Sequence, residues 1–218
     1  MKQEFIIQGQ GDKLLLFFAG WGGEANLFRH YRPAAGCDYL LCYDYRSPAF
    51  DATLLEGYRE IRLAAWSMGV WAASQVLAGR SLPFAECTAI NGTPTPIDDE
   101  RGIPTAIFRG TLDTFSPATL TKFRRRMCGS TDGVKAFLSH RPCRSPEELH
   151  EELACIYRLV TTRAALPFAW DKALIGSRDK IFPLQNQLAA WSGVPVEKYD
   201  EEHYSEYLLG KALEEEAE

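Results

Sequence analysis

Ile-Arg-Leu-Ala-Ala-Trp-Ser-Met-Gly-Val-Trp-Ala-Ala, residues 61 to 73, joins an apolar run of strand formers to an Ala-rich run that reads as a buried helix, with Ser67 on the hinge. Ala65 and Gly69 flank Ser67 two positions away on either side, the small residues that a sharp strand-to-helix turn needs where its backbone passes close to itself. The pattern is that of a nucleophile elbow, with Ala in place of the usual first Gly. Such a turn points the Ser hydroxyl out of the end of a sheet and leaves the Met68 amide at a helix N-terminus, where it can stabilise an oxyanion. An ordinary Ser in a strand-to-helix turn satisfies the same five residues, so the flanking sequence has to decide.

Upstream, residues 5 to 7 read as a strand, and the unbroken apolar run 14 to 19 reads as a second strand buried on both faces. Gly20-Trp21-Gly22-Gly23 follows that run directly. Glycines there let the backbone approach a ligand closely, and the Trp21 amide is placed to be a second oxyanion donor. No Gly-Lys-Ser/Thr follows, which excludes a P-loop. Residues 39 to 43 form a third strand, 54 to 59 a short helix, and 87 to 90 a fifth strand broken by Asn91-Gly92-Thr93-Pro94. This alternation is the signature of a mostly parallel sheet with helices on both faces.

From 101 to 169 the rhythm changes. Ser116 caps a helix running to Met127 with Pro117 at its first position, and Ser145-Pro146-Glu147-Glu148 opens another that runs to about Val160. No convincing strand intervenes, so this stretch is expected to be a helical insertion, a lid over one end of an α/β core made of residues 1–100 and 170–218. Strand character returns at 172 to 175 and at 194 to 199, with a helix starting at Pro183 or Leu184 between them. An amphipathic helix from Tyr204 to about Leu213 and an acidic tail close the chain.

Composition narrows the classes. The 218 residues are 46% hydrophobic and 24% charged, as in soluble globular proteins, and the longest apolar run is far too short to cross a bilayer. The N-terminus lacks a secretory h-region, so a cytoplasmic protein with no membrane association is expected. Six scattered cysteines match no zinc-site spacing and are expected to be reduced thiols. A net charge of −5 argues against general nucleic-acid binding.

A Ser hydroxyl needs a base to take its proton and a carboxylate to orient that base. The chain offers Ser67, Asp179 and His203, in the Ser, acid, His order of α/β-hydrolases, each directly after an expected strand. The C-terminal ends of parallel strands share one edge, where open α/β sheets bind ligands. His30, His140 and His150 fit that placement less well. Asp179, in Gly-Ser-Arg-Asp-Lys-Ile-Phe-Pro, is preferred over Asp200, while Asp113 in Thr-Leu-Asp-Thr-Phe stays open as the acid. With no metal cluster in view, a covalent mechanism without metal or cofactor is expected.

Phe-Ala-Gly-Trp-Gly-Gly at 18 to 23, Cys-Tyr-Asp-Tyr-Arg at 42 to 46, Ala-Trp-Ser-Met-Gly-Val-Trp at 65 to 71 and Asn-Gly-Thr-Pro at 91 to 94 together resemble the BioG-type pimeloyl-[acyl-carrier protein] methyl ester esterases. Phe-Arg-Arg-Arg-Met at 123 to 127 and the final Asp-Glu-Glu-His-Tyr extend the resemblance over nearly the whole chain; Ala65 departs from the general hydrolase Gly. The resemblance implies an α/β-hydrolase fold, a Ser-Asp-His triad on Ser67, Asp179 and His203, and removal of the methyl ester from pimeloyl-ACP methyl ester in biotin synthesis. A carrier protein is a strongly acidic partner, so an acidic enzyme needs a local cationic patch. Lys122, Arg124, Arg125 and Arg126 supply one, which Arg141 and Arg144 could extend; Phe115, Phe123 and Phe137 are candidates for an acyl channel. Two other readings stay open at this point: an esterase or thioesterase for another short acyl group, and a catalytically silent module that binds a partner. A monomer is the working expectation.

Overall fold

The computed structural model describes residues 1–214; the acidic stretch beyond Glu214 lies outside them. Seven strands form one sheet in the order β1-β3-β2-β4-β5-β6-β7. Edge strand β1 (Lys2–Ile7) is antiparallel to β3 (Cys37–Tyr43), and every other pairing is parallel, among β2 (Lys13–Phe18), β4 (Glu60–Trp66), β5 (Phe84–Ile90), β6 (Lys172–Gly176) and β7 (Val196–Tyr199). The apolar run from Leu14 to Ala19 lies at the centre, buried on both faces, as parallel strands covered by helices require.

The strand order places the site. Strand β2 leads to β3 on one side, whereas its neighbour β4 leads to β5 on the other. The crevice between oppositely departing connections is where open α/β sheets bind ligands. Into that crevice run the Gly-rich loop after β2 and the hinge after β4. The non-glycine residues at positive φ mark the same edge: Asp44, Ser67 and Asn91 each follow directly on β3, β4 and β5, with Arg141 the fourth among the described residues.

Helix α1 (Ala25–Phe28) follows the Gly-rich loop, and α2 (Met68–Leu77) follows β4. The Ala-rich face of α2 sits so close to the sheet that a Cβ on Gly69 would come 2.2 Å from the Phe18 carbonyl oxygen. In place of the helix expected over 54 to 59 there is a 3-10 turn, Ala52–Leu55, because Asp51 caps it and Gly57 at φ +87° turns the chain away.

Between β5 and β6 the chain carries four helices: α3 (Thr105–Asp113), α4 (Pro117–Cys128), α5 (Thr131–Ser139) and α6 (Pro146–Thr162). Ser116 and Ser145 each close a capping box at the two helices that the sequence signalled. The other two were not expected, for physical reasons: α3 has Pro104 at its N-cap with no side-chain cap, and both short helices carry an interior Gly that depresses helix propensity. Helix α7 (Leu184–Ala190) and the terminal α8 (Glu206–Leu213), which buries Leu208, Leu209 and Leu213, complete the fold. All six cysteines are free thiols, four of them buried. Among the described residues no helix is long and apolar enough to cross a membrane.

Candidate active site

Ser67 holds φ 59° and ψ −124°, a sparsely populated conformation for a residue with a side chain. Such backbone geometry costs on the order of 1–3 kcal/mol and persists only when its surroundings over-determine it. Here they do. The Ser67 N–H donates to the Ile90 carbonyl at 2.9 Å, and glycines from two loops and from α2 close around the hinge. A Cβ on Gly20 would meet the Ser67 Cβ at 2.9 Å, one on Gly69 would strike the end of β2, and one on Gly92 would come 2.3 Å from the Ser67 carbonyl oxygen. Ser67 stands at the N-cap of α2 yet makes no capping hydrogen bond, so its hydroxyl is available to a partner outside the helix.

That partner is His203, whose Nε2 lies 3.0 Å from Ser67 Oγ, while its Nδ1 lies 2.8 Å from Asp179 Oδ2. The imidazole is 1% exposed and stacks on Phe182 at a 10° interplanar angle. Its backbone carbonyl accepts from Trp66 Nε1 and from Asn91 Nδ2, which fixes the loop after β7 against the ends of β4 and β5. Asn91, a residue that the sequence marked only as a strand breaker, also accepts the Gly176 N–H at 2.7 Å and so ties three strand ends together. Asp179 is equally constrained: Oδ1 accepts the Ile181 and Phe182 amides at 2.7 and 2.9 Å, and Oδ2 also accepts Gln187 Nε2 at 3.1 Å. The competing carboxylates are elsewhere. Asp113 is 60% exposed and pairs loosely with Arg109, and Asp200 pairs with Arg178 at the surface. His30 and His140 stack on one another, and His150 stacks on Phe115.

Ser67 and His203 share the wall of an apolar cavity with Trp21, Met68, Ile107, Phe108, Phe123, Met127 and Leu153, residues drawn mostly from the four-helix stretch. Of the three phenylalanines singled out, only Phe123 lines this cavity. Phe115 packs edge-on against Trp21, and Phe137 is buried against Tyr204. Beside Ser67, Gly23 N–H donates to the Gly20 carbonyl at 3.0 Å, closing a tight turn whose third residue, Gly22, sits at φ +76°. The Trp21 and Met68 N–H groups donate to no protein acceptor among the described residues.

The cationic run divides. Lys122, Arg125 and Arg126 are exposed, with Arg126 reaching the cavity wall, but Arg124 turns inward over the Phe137 ring. Successive helical residues are about 100° apart, so four consecutive-looking cations cannot share one face. Arg141 is exposed, whereas the Arg144 side chain, 6% exposed, points into the protein instead of extending the patch, and pairs with Asp44 and Glu152.

Asp44 shows how strongly this interior pairing acts. Burial pushes its carboxyl up, but the Arg46 hydrogen bond and the Arg144, Arg46 and Lys2 charges outweigh burial and bring it down to about 2. A carboxyl whose folded value is depressed stabilises the fold above its unfolded value of about 4 and loses that contribution as pH falls through the folded value. The stability gap between wild type and Asp44→Asn is therefore expected to be full at neutral pH and to close between about pH 4 and pH 2, read from urea midpoints at each pH.

The family model described as "Pimeloyl-ACP methyl esterase BioG" matches residues 1–211. A Bacteroides fragilis protein named malonyl-[acyl-carrier protein] O-methyltransferase is 53% identical over 201 residues, which cover 91% of this chain; the chain spans 41% of that protein's length. The crystal structure of BioG from Haemophilus influenzae superposes with a TM-score of 0.88 at 40% identity, covering 98% of this chain and 99% of that one. An esterase from Exiguobacterium antarcticum, 14% identical, superposes at 0.63 over 92% of this chain and 87% of that one, and shows the shared α/β-hydrolase fold alone.

Proposed function

The chain belongs to the pimeloyl-ACP methyl esterase BioG family, whose members are carboxylic ester hydrolases, and on that premise we propose that it hydrolyses the methyl ester of pimeloyl-[acyl-carrier protein] methyl ester in biotin synthesis, through a Ser67-His203-Asp179 triad. The observation that carries this reading is the hydrogen-bonded relay from Ser67 through His203 to Asp179 on the wall of an apolar cavity. His203 Nε2 takes the Ser67 proton as Oγ attacks the ester carbonyl, and Asp179 stabilises the imidazolium. The developing oxyanion is held by the Met68 and Trp21 amides. His203 returns the proton to the departing methoxide, giving methanol and an acyl-enzyme. Water, deprotonated by His203, then releases the free acid and restores the Ser67 hydroxyl. The apolar cavity suits the methylene chain, with the helical stretch acting as a lid. The methyltransferase activity in the Bacteroides fragilis relative's name belongs to a protein of which this chain spans 41%, and it is not part of this proposal.

The carrier protein docks on Lys122, Arg125 and Arg126, with Arg124 contributing less because its guanidinium lies over Phe137. The test is turnover of methyl pimeloyl-ACP beside a small free methyl ester. The Lys122→Glu/Arg125→Glu double variant is expected to raise KM for the carrier-bound ester about tenfold or more at low salt, less at high salt, and to leave the free ester unaffected. Equal turnover of carrier-bound substrate by wild type and this variant would remove the docking surface from the reading. Fluorophosphonate labelling of Ser67 separates an enzyme from a silent module, since a folded sample that takes no label is not a serine esterase.

A further inference from the structure

Helix α6 grips the Gly-rich loop that runs beside Ser67. Glu152, 0% exposed, accepts the Tyr45 amide with Oε1 at 2.9 Å and the Gly22 amide with Oε2 at 3.2 Å. Arg144 Nη1 donates to the same Oε2 at 2.7 Å and to the Gly23 carbonyl at 3.3 Å. One turn earlier on α6, the Leu149 carbonyl accepts Trp21 Nε1 at 2.9 Å, and one residue later Leu153 lines the cavity that holds Ser67. Residues 149, 152 and 153 fall on one helix face. The segment leading into α6 is tied to the same loop, because Glu24 accepts the Cys143 and Arg144 amides at 2.9 and 3.0 Å.

Resting on the reading just given, we propose that Glu152 is a positioning residue for the oxyanion hole: by holding the Gly22 N–H, and through Arg144 the Gly23 carbonyl, it clamps the turn 20–23 in place, and with it the neighbouring Gly20–Trp21 peptide that carries the Trp21 N–H, so that the helical stretch builds part of the catalytic site rather than only covering it. A turn with its third residue at positive φ differs from the common alternative by rotation of its central peptide, here the Trp21–Gly22 unit. An acceptor aimed at Gly22 N–H selects one of the two. The other peptide of the turn is held by Gly23 N–H on the Gly20 carbonyl, which leaves the Trp21 N–H as its undedicated donor. Gly20 packs on Ser67, so a shift of this turn is felt at the reacting atoms. The Glu152 carboxyl is held above its ordinary value, because burial outweighs the opposing pull of Arg144 and the two amides.

Every partner of Glu152 is a donor, and a glutamine would keep its oxygen on Gly22 and Arg144 and set its N–H₂ against the Tyr45 amide, so the informative change is Glu152→Met, which removes both acceptors at similar volume. The expected result is a kcat about 100-fold lower on a methyl ester, with KM within about threefold of wild type. Affinity for a trifluoromethyl ketone bearing the acyl chain, which binds as the Ser67 hemiketal oxyanion, should fall by the same factor as kcat. Because Glu152→Met takes from Arg144 one of its two counterions, the Arg144→Met/Glu152→Met pair is measured beside it; with both charges gone the pair is expected to fold and to keep the kcat loss. Wild-type kcat and ketone affinity in the folded pair would overturn the positioning role and leave only charge balance. An active wild type with an unchanged Glu152→Met would overturn it as well while leaving the esterase reading intact, whereas a wild type that cleaves no methyl ester overturns both.

Discussion

Ser67→Ala is expected to lower kcat on methyl pimeloyl-ACP by about 10⁴- to 10⁶-fold, with the protein still folded. The separation of the two effects follows from local geometry. Ser67 does not cap α2, so removing its hydroxyl strips no orphan helix donor of its acceptor. Among the described residues its one side-chain partner is His203 Nε2 at 3.0 Å, and a single such hydrogen bond is worth about 1 kcal/mol of stability. Alanine at φ 59° is strained as serine is, so the backbone term does not change. His203→Ala should cost a similar factor in kcat, and the Ser67→Ala/His203→Ala double variant should be little worse than either, since residues that act as one unit are not additive. Steady-state assays at enzyme concentrations high enough to see residual turnover, beside urea melts, provide both readouts. Multiplying losses in the double variant would mean that Ser67 and His203 do not work on the same proton.

What the sequence could say about this region depended on how local the physics is. The hinge at Ser67 was legible because its requirements are local: small residues at 65 and 69, strand formers before it and an Ala-rich helix after it. The Gly-rich loop was legible because a buried strand precedes it directly. The acid was not settled by sequence, since Asp113 in the insertion and Asp179 after a strand both offered a carboxylate and only the sheet order brings the loop after β6 beside the loop after β7. Asn91 and Gln187 were invisible as site residues, because an amide's role is set by partners on other loops. The same reasoning covers the cations. Four basic residues within five positions read as a patch, yet helical geometry turned Arg124 onto Phe137, and Arg144 found Asp44 and Glu152 inside. Glu152 is separated by 107 residues from the Tyr45 amide it binds, and no pattern of nearby residues announces such a pairing. Ser-Pro caps announced α4 and α6, whereas α3 has no side-chain cap and α5, though capped by Ser130, is short and Gly-bearing, so both lean on packing.

Asp179→Asn is expected to lower kcat about 10⁴-fold with little change in KM, whereas Asp113→Asn should do nothing measurable. The amide can sit in two ways. With its oxygen toward Gln187 and His203, its N–H₂ faces the Ile181 and Phe182 amides, leaving two buried donors unpaired at about 1–3 kcal/mol each. With its oxygen toward those amides, its N–H₂ faces His203 Nδ1 and Gln187 Nε2. The second arrangement is the cheaper one, because the Ile181 and Phe182 amides keep their acceptor and the N–H₂ finds the His203 Nδ1 lone pair, leaving one mismatch with Gln187 Nε2, which stays on the Phe182 carbonyl. That choice forces His203 Nδ1 to accept a hydrogen bond and so places the imidazole proton on Nε2, facing Ser67. A protonated Nε2 cannot take the Ser67 proton, so the loss appears in kcat while the acyl chain still binds the same apolar wall. Asp113, exposed and 3.9 Å from Arg109, has only a surface pairing to lose, and such pairs contribute little. Steady-state kinetics on both variants decides the assignment: a severe loss in Asp113→Asn with near-normal turnover in Asp179→Asn would move the acid of the triad to Asp113.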